Sequence, residues 1–231
     1  AKSIKGKILI KIRPYIFKHQ RLLMRLGFFT DTYAILYNPT FQTIKGNTIL
    51  SGYFQNEKYF KEAIPDIRKD FIFRQPLTGK NSDIARQMES TNSVSIHIRR
   101  GDYITNKSAS ANFAICDAGY YGRAIDTISQ RIGQPSFFIF SDDMEWVKSN
   151  IKFGENPVTF IGWNKGDDSY MDMQLMSLCK HNIIANSSFS WWGAWLNTNK
   201  DKTVVAPAKW FRDEWKNNLL DDFYPNGWIK L

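Results

Sequence analysis

Residues 93–103 of this chain read Ser-Val-Ser-Ile-His-Ile-Arg-Arg-Gly-Asp-Tyr. The first seven alternate apolar and polar side chains, as a strand does, and charged residues follow at once. Four more short apolar segments come later, at residues 137–140, 158–161, 182–185 and 203–206. Helical patterns separate these five segments, at residues 119–131, 142–150, 169–180 and 188–197. Strands that alternate with helices predict an α/β fold with a parallel sheet covered on both faces.

The pattern upstream of residue 93 is less regular. Residues 1–44 predict a basic region of helix and loop, residues 47–54 a strand, and residues 56–71 and 81–89 two helices. We therefore expect three parts: an N-terminal region over 1–92, the parallel α/β domain over 93–207, and a C-terminal tail over 208–231 that packs back on the body.

Charge is distributed unevenly along the chain. The net charge is +9, and residues 1–90 carry all of the excess, with 16 basic and 7 acidic side chains. No acidic residue precedes Asp31. A basic segment that also contains apolar residues can rest on an anionic membrane surface or form a solvated face, so peripheral membrane contact through residues 1–26 stays open.

The remaining composition limits the class of protein and its compartment. With 43% hydrophobic and 23% charged residues, the 231-residue chain is expected to fold around a packed core. Its two cysteines, Cys116 and Cys179, form no disulfide framework, which favours a reducing compartment. No apolar run reaches the ~18 residues that a membrane span needs. We expect a cytoplasmic protein, with peripheral contact at the inner face of the membrane as an option.

Polar residues follow most of the predicted strands, and they converge on one edge because the carboxyl ends of parallel strands lie together. Ligands of such sheets bind at this edge. His97, Arg99, Arg100 and Asp102 follow the first strand. A guanidinium there can clamp a diphosphate, and the alternative is a structural pair between Arg100 and Asp102 with a buried His97.

Two further polar segments follow later strands. Asn186, Ser187, Ser188 and Ser190 lie at the start of a helix, where free N–H groups suit a pyrophosphate and where ordinary capping by one serine is the alternative. Asp142 and Asp143 follow the strand over 137–140; one carboxylate there is suited to accept hydrogen bonds from a guanine or a ribose, or to cap a helix.

Several kinds of site are excluded by the motifs. The three histidines, His19, His97 and His181, are too scattered for a metal site, and the chain contains no Asp-x-Asp pair. The negative charge of a diphosphate would then be neutralised by Arg99 and the helix start near Ser188 rather than by a metal ion. We therefore expect a metal-independent reaction.

Three motifs carry a family resemblance: His97–Tyr103, Phe140–Asp143 and Asn186–Leu196. Together with Ser51–Gln55 and Tyr59-Phe60, they resemble the bacterial-type α-1,2-fucosyltransferases of glycosyltransferase family 11. The resemblance implies a GT-B-like fold, with a Rossmann-type donor domain and a partial N-terminal acceptor-side domain. It also implies inverting, metal-free transfer of L-fucose from GDP-β-L-fucose to the 2-hydroxyl of a galactoside, the acceptor being an oligosaccharide or lipid-linked glycan. The family's N-terminal Gly-Gly-Leu-Gly-Asn-Gln segment has no counterpart here.

The resemblance also implies roles for individual residues. Arg99 and Arg100 would hold the diphosphate, and His97 with Asp142 or Asp143 would contact the guanosine. Ser187, Ser188 and Ser190, next to Asn186, would line the phosphates. Arg99 would stabilise the departing GDP, and Asp102 is the candidate base, with Asp117 or the N-terminal segment as alternatives.

Three other functions remain open from the sequence. The 15% aromatic content suits a lectin-like module that binds carbohydrate without catalysis. A transferase that uses another nucleotide sugar or linkage is a second option. A nucleic-acid binder is disfavoured, because the basic stretch before Asp31 has few aromatic residues to interleave with its charges.

Overall fold

The computed structural model describes residues 20–31, 35–218 and 220–231. The described residues form two compact units. The smaller contains the residues up to Ile64 together with 220–225, and the larger contains residues 65–218 and 226–231. Residues 1–19 of the predicted membrane-contacting segment over 1–26 lie outside the described residues.

The smaller unit has little regular structure. It contains helix α1 (Gln20–Arg25) and two short strands, β1 (Phe28–Thr30) and β2 (Ile49–Ser51), which pair in parallel. The strand predicted over 47–54 is shorter than expected, and β1 was not predicted. The helix predicted over 56–71 is instead two 3₁₀ turns, Glu57–Tyr59 and Lys61–Ala63, followed by α2 (Ile64–Asp70).

The larger unit is built on a six-stranded sheet in which every pairing is parallel. Its strands are β3 (Ser93–Ile98), β4 (Ser136–Ser141), β5 (Val158–Ile161), β6 (His181–Ile183), β7 (Val204–Ala206) and β8 (Ile229–Lys230). The order across the sheet is β5-β4-β3-β6-β7-β8. The predicted α/β class, with a Rossmann-like parallel sheet, is thus confirmed.

Nine of the described helices belong to the larger unit, counting α2, which lies in it apart from Ile64. In addition to α2 they are α3 (Gly79–Ser90), α4 (Gly101–Thr105), α5 (Lys107–Asn112), α6 (Ala118–Ile132), α7 (Met144–Asn150), α8 (Tyr170–Leu178), α9 (Ser188–Leu196) and α10 (Glu214–Asn217). Helices α6 and α7 pack on one face with Val94, Ile96 and Ile98, and α3 and α8 pack on the other with Phe138 and Phe140.

Three features of the larger unit differ from the sequence prediction. The short helices α4 and α5 were not predicted, and β8 extends the sheet into what was predicted only as a tail. The structure also divides the chain at Ile64 rather than at residue 92, because Met88 of α3 is buried against Phe138 and Leu175. The acceptor-side and donor-side roles of the two parts stay predictions.

The strand order creates a switch point at the middle of the sheet. From β3 the chain runs outward through β4 to β5, whereas from β6 it runs outward in the opposite direction through β7 to β8. Adjacent strands whose connections diverge in this way leave a crevice beyond their carboxyl ends, which is where open α/β sheets bind ligands.

Candidate active site

A cavity of ≈ 820 Å³ opens at this carboxyl edge of the larger unit. That volume lies within the ~300–1,000 Å³ typical of ligand sites. The residues that line it lie at the carboxyl ends of β3, β4, β5 and β6 or in the segments that follow them: His97, Arg99, Asp102, Tyr103, Phe113, Ser141, Asp142, Met144, Gly162, Asn164, Lys165, Gly166, Ser169, Asp172, Ser187, Ser188 and Phe189. Six of the predicted site residues are therefore brought together: His97, Arg99, Asp102, Asp142, Ser187 and Ser188.

Arg99 lies directly after β3, and two carboxylates hold its guanidinium. Its Nε donates to Asp102 Oδ1 at 2.9 Å, and its Nη1 lies 3.0 Å from Asp142 Oδ2. Burial disfavours the charged form, but the two carboxylates outweigh it and raise the pKa of Arg99 above its usual value. The guanidinium is thus a permanently charged group at the edge of the cavity.

Helix α9 begins at the same edge, after β6. Ser187 and Ser188 line the cavity, and the Ser187 side chain makes no capping hydrogen bond in the described structure. The predicted alternative, ordinary capping by Ser187, is therefore not observed. The first N–H groups of this nine-residue helix, with its dipole, favour an anion in the cavity.

His97 lies on the face of β3 toward α9, and its ring centroid is 5.7 Å from that of Phe189. It is 6% exposed, and its Nδ1 has no hydrogen-bond partner among the described residues. Burial lowers the pKa of His97 to about 4, and the nearby Asp142 carboxylate only partly opposes the shift. The imidazole is therefore neutral at pH 7 and lines the cavity with one ring nitrogen unpaired.

Four predicted ligand residues do not line the cavity. Arg100 Nε lies 3.3 Å from Asp143 Oδ2, and its guanidinium carbon is 3.8 Å from the centre of the Trp146 ring. Strand alternation explains this, because Arg100 follows Arg99 and points to the opposite side. Asn186 and Ser190 are buried as well, and they bond to backbone carbonyls.

The alternative bases occupy different positions. Asp102 lines the cavity but is bonded to Arg99. Asp117 caps α6 by accepting a hydrogen bond from the backbone N–H of Tyr120 at 2.8 Å, and it is not among the cavity residues.

Sequence reasoning missed Asp172, a cavity residue in the first turn of α8. Its Oδ1 accepts a hydrogen bond from Asn164 Nδ2 at 2.7 Å. Burial raises the pKa of Asp172 to about 6, a shift that the hydrogen bond from Asn164 opposes. The available signal was an acidic residue at a helix start next to the carboxyl edge, but the sequence does not tell which face of α8 it occupies.

The rest of the lining is mixed. Lys165 adds a second positive charge, and Phe113 forms an aromatic wall that stacks on Tyr103 with ring centroids 5.1 Å apart. In the ranges that the structure describes, no group of three or more His, Cys, Asp or Glu residues could hold a metal ion. Over the same ranges, no helix has the length and apolar character needed to cross a membrane.

Comparison with protein families gives one match that spans nearly the whole chain. The model for glycosyl transferase family 11 matches residues 9–231. The chain belongs to glycosyltransferase family 11. The cavity at the carboxyl edge is thus the candidate active site of a family 11 protein.

The names of individual relatives of this family 11 chain specify colitose, fucose or no particular sugar. It is 40% identical to an α-1,2-colitosyltransferase of Escherichia coli, over 82% of this chain and 64% of that protein. It is 39% identical to the O-antigen biosynthesis glycosyltransferase WbnK of Escherichia coli, over 86% of this chain and 65% of that protein. Human galactoside α-(1,2)-fucosyltransferase 1 is 27% identical, over 72% of this chain and 46% of that protein. The chain thus spans less than two thirds of these relatives.

Proposed function

We propose that this protein is an inverting glycosyltransferase that moves L-fucose from GDP-β-L-fucose to the 2-hydroxyl of a β-galactoside, forming an α-1,2 linkage. One observation carries the proposal: Arg99 and the Ser188 helix start, which come from different strands, line the same cavity. A guanidinium and a helix N-terminus that face one space are suited to two linked phosphates.

The proposed reaction is a single displacement. The acceptor hydroxyl oxygen attacks the anomeric carbon of the sugar, the bond from that carbon to the diphosphate oxygen breaks, and GDP leaves with the electron pair. Arg99 and the first N–H groups of α9 stabilise the charge that develops on the diphosphate, a kind of stabilisation worth ~3–4 kcal/mol per donor in well-studied enzymes. The hydroxyl proton passes to a base, for which Asp102, one of the two cavity carboxylates that contact Arg99, is our candidate.

We assign the nucleobase to the end of the cavity that is formed by residues after β5. A guanine presents N1–H and the 2-amino group side by side, and the Asp172 carboxylate is a suitable acceptor for both. Asn164 holds that carboxylate in place. In this arrangement Asp172, rather than Asp142 or Asp143, reads the guanine, and neutral His97 is free to make one further hydrogen bond.

The proposed chemistry needs no metal, because the diphosphate charge is met by Arg99, Lys165 and the α9 start. The cavity lining contains two positively charged side chains, Arg99 and Lys165. It also contains three acidic side chains, Asp102, Asp142 and Asp172, so the lining carries no excess of positive charge. The anion is therefore attracted by local geometry rather than by the overall charge of the cavity.

A second donor is favoured by a specific observation: a 40% identical relative is named a colitosyltransferase. Colitose is the 3-deoxy form of fucose, so the two donors differ by one oxygen atom. Incubating the protein with a β-galactoside and either GDP-L-fucose or GDP-L-colitose, with detection of products by mass, discriminates between them. Transfer of fucose at the higher kcat/KM supports the first proposal, and exclusive transfer of colitose replaces the donor while keeping the reaction class.

A lectin-like module is expected to differ from a transferase in its binding of GDP. Such a module has no use for a diphosphate site, so titration calorimetry with GDP alone separates it from a transferase. Saturable GDP binding that Arg99→Ala removes supports the enzyme. Galactoside binding without any GDP binding would support the module instead.

A further inference from the structure

The carboxylate of Asp142 does more than pair with Arg99. Its Oδ2 lies 3.0 Å from Arg99 Nη1, and its Oδ1 accepts a hydrogen bond from the backbone N–H of Arg100 at 2.9 Å. Both oxygens are therefore engaged by consecutive residues after β3. The side chain is 27% exposed, less than that of Arg99 at 36% or Asp102 at 47%.

Gly101 makes this approach possible. A Cβ atom built on Gly101 would lie 2.9 Å from Asp142 Oδ2, closer than real Cβ contacts allow. The turn from β3 into α4 is thus wrapped closely around the Asp142 carboxylate. The glycine of the Arg-Gly-Asp sequence is explained by this contact, since any side chain there would displace the carboxylate from Arg99.

The geometry leaves Arg99 with donors to spare. A guanidinium carries five N–H donors, of which Asp102 takes one at Nε and Asp142 one at Nη1. Two fixed carboxylates orient the planar group before any ligand arrives, so less conformational entropy is lost when the phosphates bind. Asp102 is nearly half exposed and therefore contributes less to this orientation than Asp142 does.

We propose that Asp142 is a positioning residue, which aims the Arg99 guanidinium at the diphosphate and does not itself touch the nucleotide. The proposal rests on the function proposed above. It replaces the role in guanosine binding that the sequence suggested for Asp142. Charge alone argues in the same direction, because a carboxylate that contacted the diphosphate directly would repel it.

The first test compares two probes, GDP and guanosine, on Asp142→Asn. Asparagine keeps the shape and an oxygen that can accept from the Arg100 N–H, but it removes the charge that holds Arg99. The expected result is a loss of roughly tenfold in GDP affinity, as for one charge-assisted contact, with unchanged guanosine affinity. Equal loss for both probes would overturn the proposal, since a direct guanosine contact or general damage weakens both. Unchanged or tighter GDP binding would overturn it too.

The second test is a double-mutant cycle with Arg99→Lys, which keeps a positive charge but not the planar fork that two carboxylates orient. If Asp142 acts through the Arg99 guanidinium, adding Asp142→Asn to Arg99→Lys costs much less GDP affinity than adding it to the wild type. Additive losses would contradict the proposal.

Two further variants serve as control and second probe. Asp143→Asn removes the neighbouring carboxylate, which pairs with Arg100 and does not line the cavity, and it is expected to keep normal GDP affinity. Gly101→Ala pushes on the Asp142 carboxylate without changing any charge, and it is expected to reproduce the selective loss for GDP. Melting temperatures of all variants verify folding, and normal GDP binding by a folded Gly101→Ala protein counts against the proposal.

Different results would refute the proposed function and the positioning role of Asp142. A wild-type protein that binds no GDP would refute the proposed function. A wild-type protein that binds GDP, with Asp142→Asn indistinguishable from it, would refute only the positioning role.

Discussion

Asp172 and Asn164 are joined by a hydrogen bond of 2.7 Å, from Asn164 Nδ2 to Asp172 Oδ1. Asn164 is in turn bonded to Asn81, whose Nδ2 donates to Asn164 Oδ1 at 2.8 Å, and the indole N–H of Trp163 donates to Asn81 Oδ1 at 2.8 Å. The network links α3, the loop after β5 and α8 at one end of the cavity. It fixes a half-buried carboxylate whose pKa is raised by burial, an arrangement that is typical of a functional site.

We expect Asp172→Asn to lose base selectivity. The carboxylate is proposed to accept hydrogen bonds from the guanine N1–H and 2-amino group. Asparagine places an NH₂ donor opposite one of these two donors, so we expect GDP affinity to fall by about tenfold or more. UDP, which lacks these groups, is expected to bind the variant and the wild type equally. Calorimetry with both nucleotides measures the ratio. A ratio of GDP to UDP affinity that stays at its wild-type value would rule out this role.

The same variant is expected to change the pH dependence of stability. Burial raises the folded-state pKa of Asp172 from 3.8 to about 6, so the folded protein binds the proton more tightly than the unfolded chain does. The stability contributed by this group is therefore present below about pH 4 and is lost as pH rises through 6.

Asp172→Asn removes that loss, so we expect the variant to melt at a higher temperature than the wild type at pH 7.5 and to lose this advantage near pH 4. His97, with its lowered pKa, titrates in the same range, and the comparison of two proteins at each pH cancels its effect. Melting curves recorded by circular dichroism provide the measurement. An equal difference at both pH values would contradict the raised pKa.

We expect Arg99→Ala to abolish transfer without unfolding the protein. The guanidinium lies at the cavity edge with a 36% exposed side chain, so its loss costs little packing, whereas the departing diphosphate loses its main positive partner. A fall in kcat of more than about a hundredfold is expected. Arg123→Ala, an exposed arginine on α6, serves as the control. Near-normal turnover by a folded Arg99→Ala protein would show that the phosphates bind elsewhere.

Transfer is expected to continue in EDTA. Arg99, Lys165 and the start of α9 are the groups that we assign to the diphosphate, and none of them requires a divalent ion. The measurement is the initial rate of product formation with EDTA and with added Mg²⁺. Strict dependence on Mg²⁺ would contradict this assignment.

Asn182 is a polar residue of β6 that is fully buried in the protein core. Its Nδ2 donates to Ser95 Oγ at 2.7 Å and to the carbonyl of Met176 at 2.8 Å, and its Oδ1 accepts from Asn197. Asn182→Leu leaves these buried partners without it, so the free energy of unfolding should fall by about 2–4 kcal/mol. Asn150→Ala on the exposed surface of α7 should cost well under that, and denaturant unfolding of both variants provides the comparison. Equal stabilities would refute the account.

The sequence alone was sufficient for the central strands, their parallel arrangement and the edge at which their polar residues converge, but not for the order of the strands across the sheet. The residues 93–99 and 137–140 are apolar enough to be buried strands, and parallel strands place their carboxyl ends together, so Arg99, His97 and Ser188 could be expected to share one site. The short elements α4, α5 and β8 could not be predicted from the sequence. They are too brief to show a periodic pattern, and long-range contacts stabilise them.

The side on which each polar residue lies was decided only by the tertiary structure. Arg99 and Arg100 are adjacent in the chain, yet one lines the cavity and the other packs on Trp146. Asp142 and Asp172 look alike as isolated acids, but folding pairs the first with a guanidinium and buries the second beside an amide. The environment of each acid follows from those neighbours. Arg99 precedes Asp142 by 43 residues, and Asn81, which bonds to the Asn164 amide beside Asp172, precedes Asp172 by 91 residues. The sequence around each acid does not reveal these contacts.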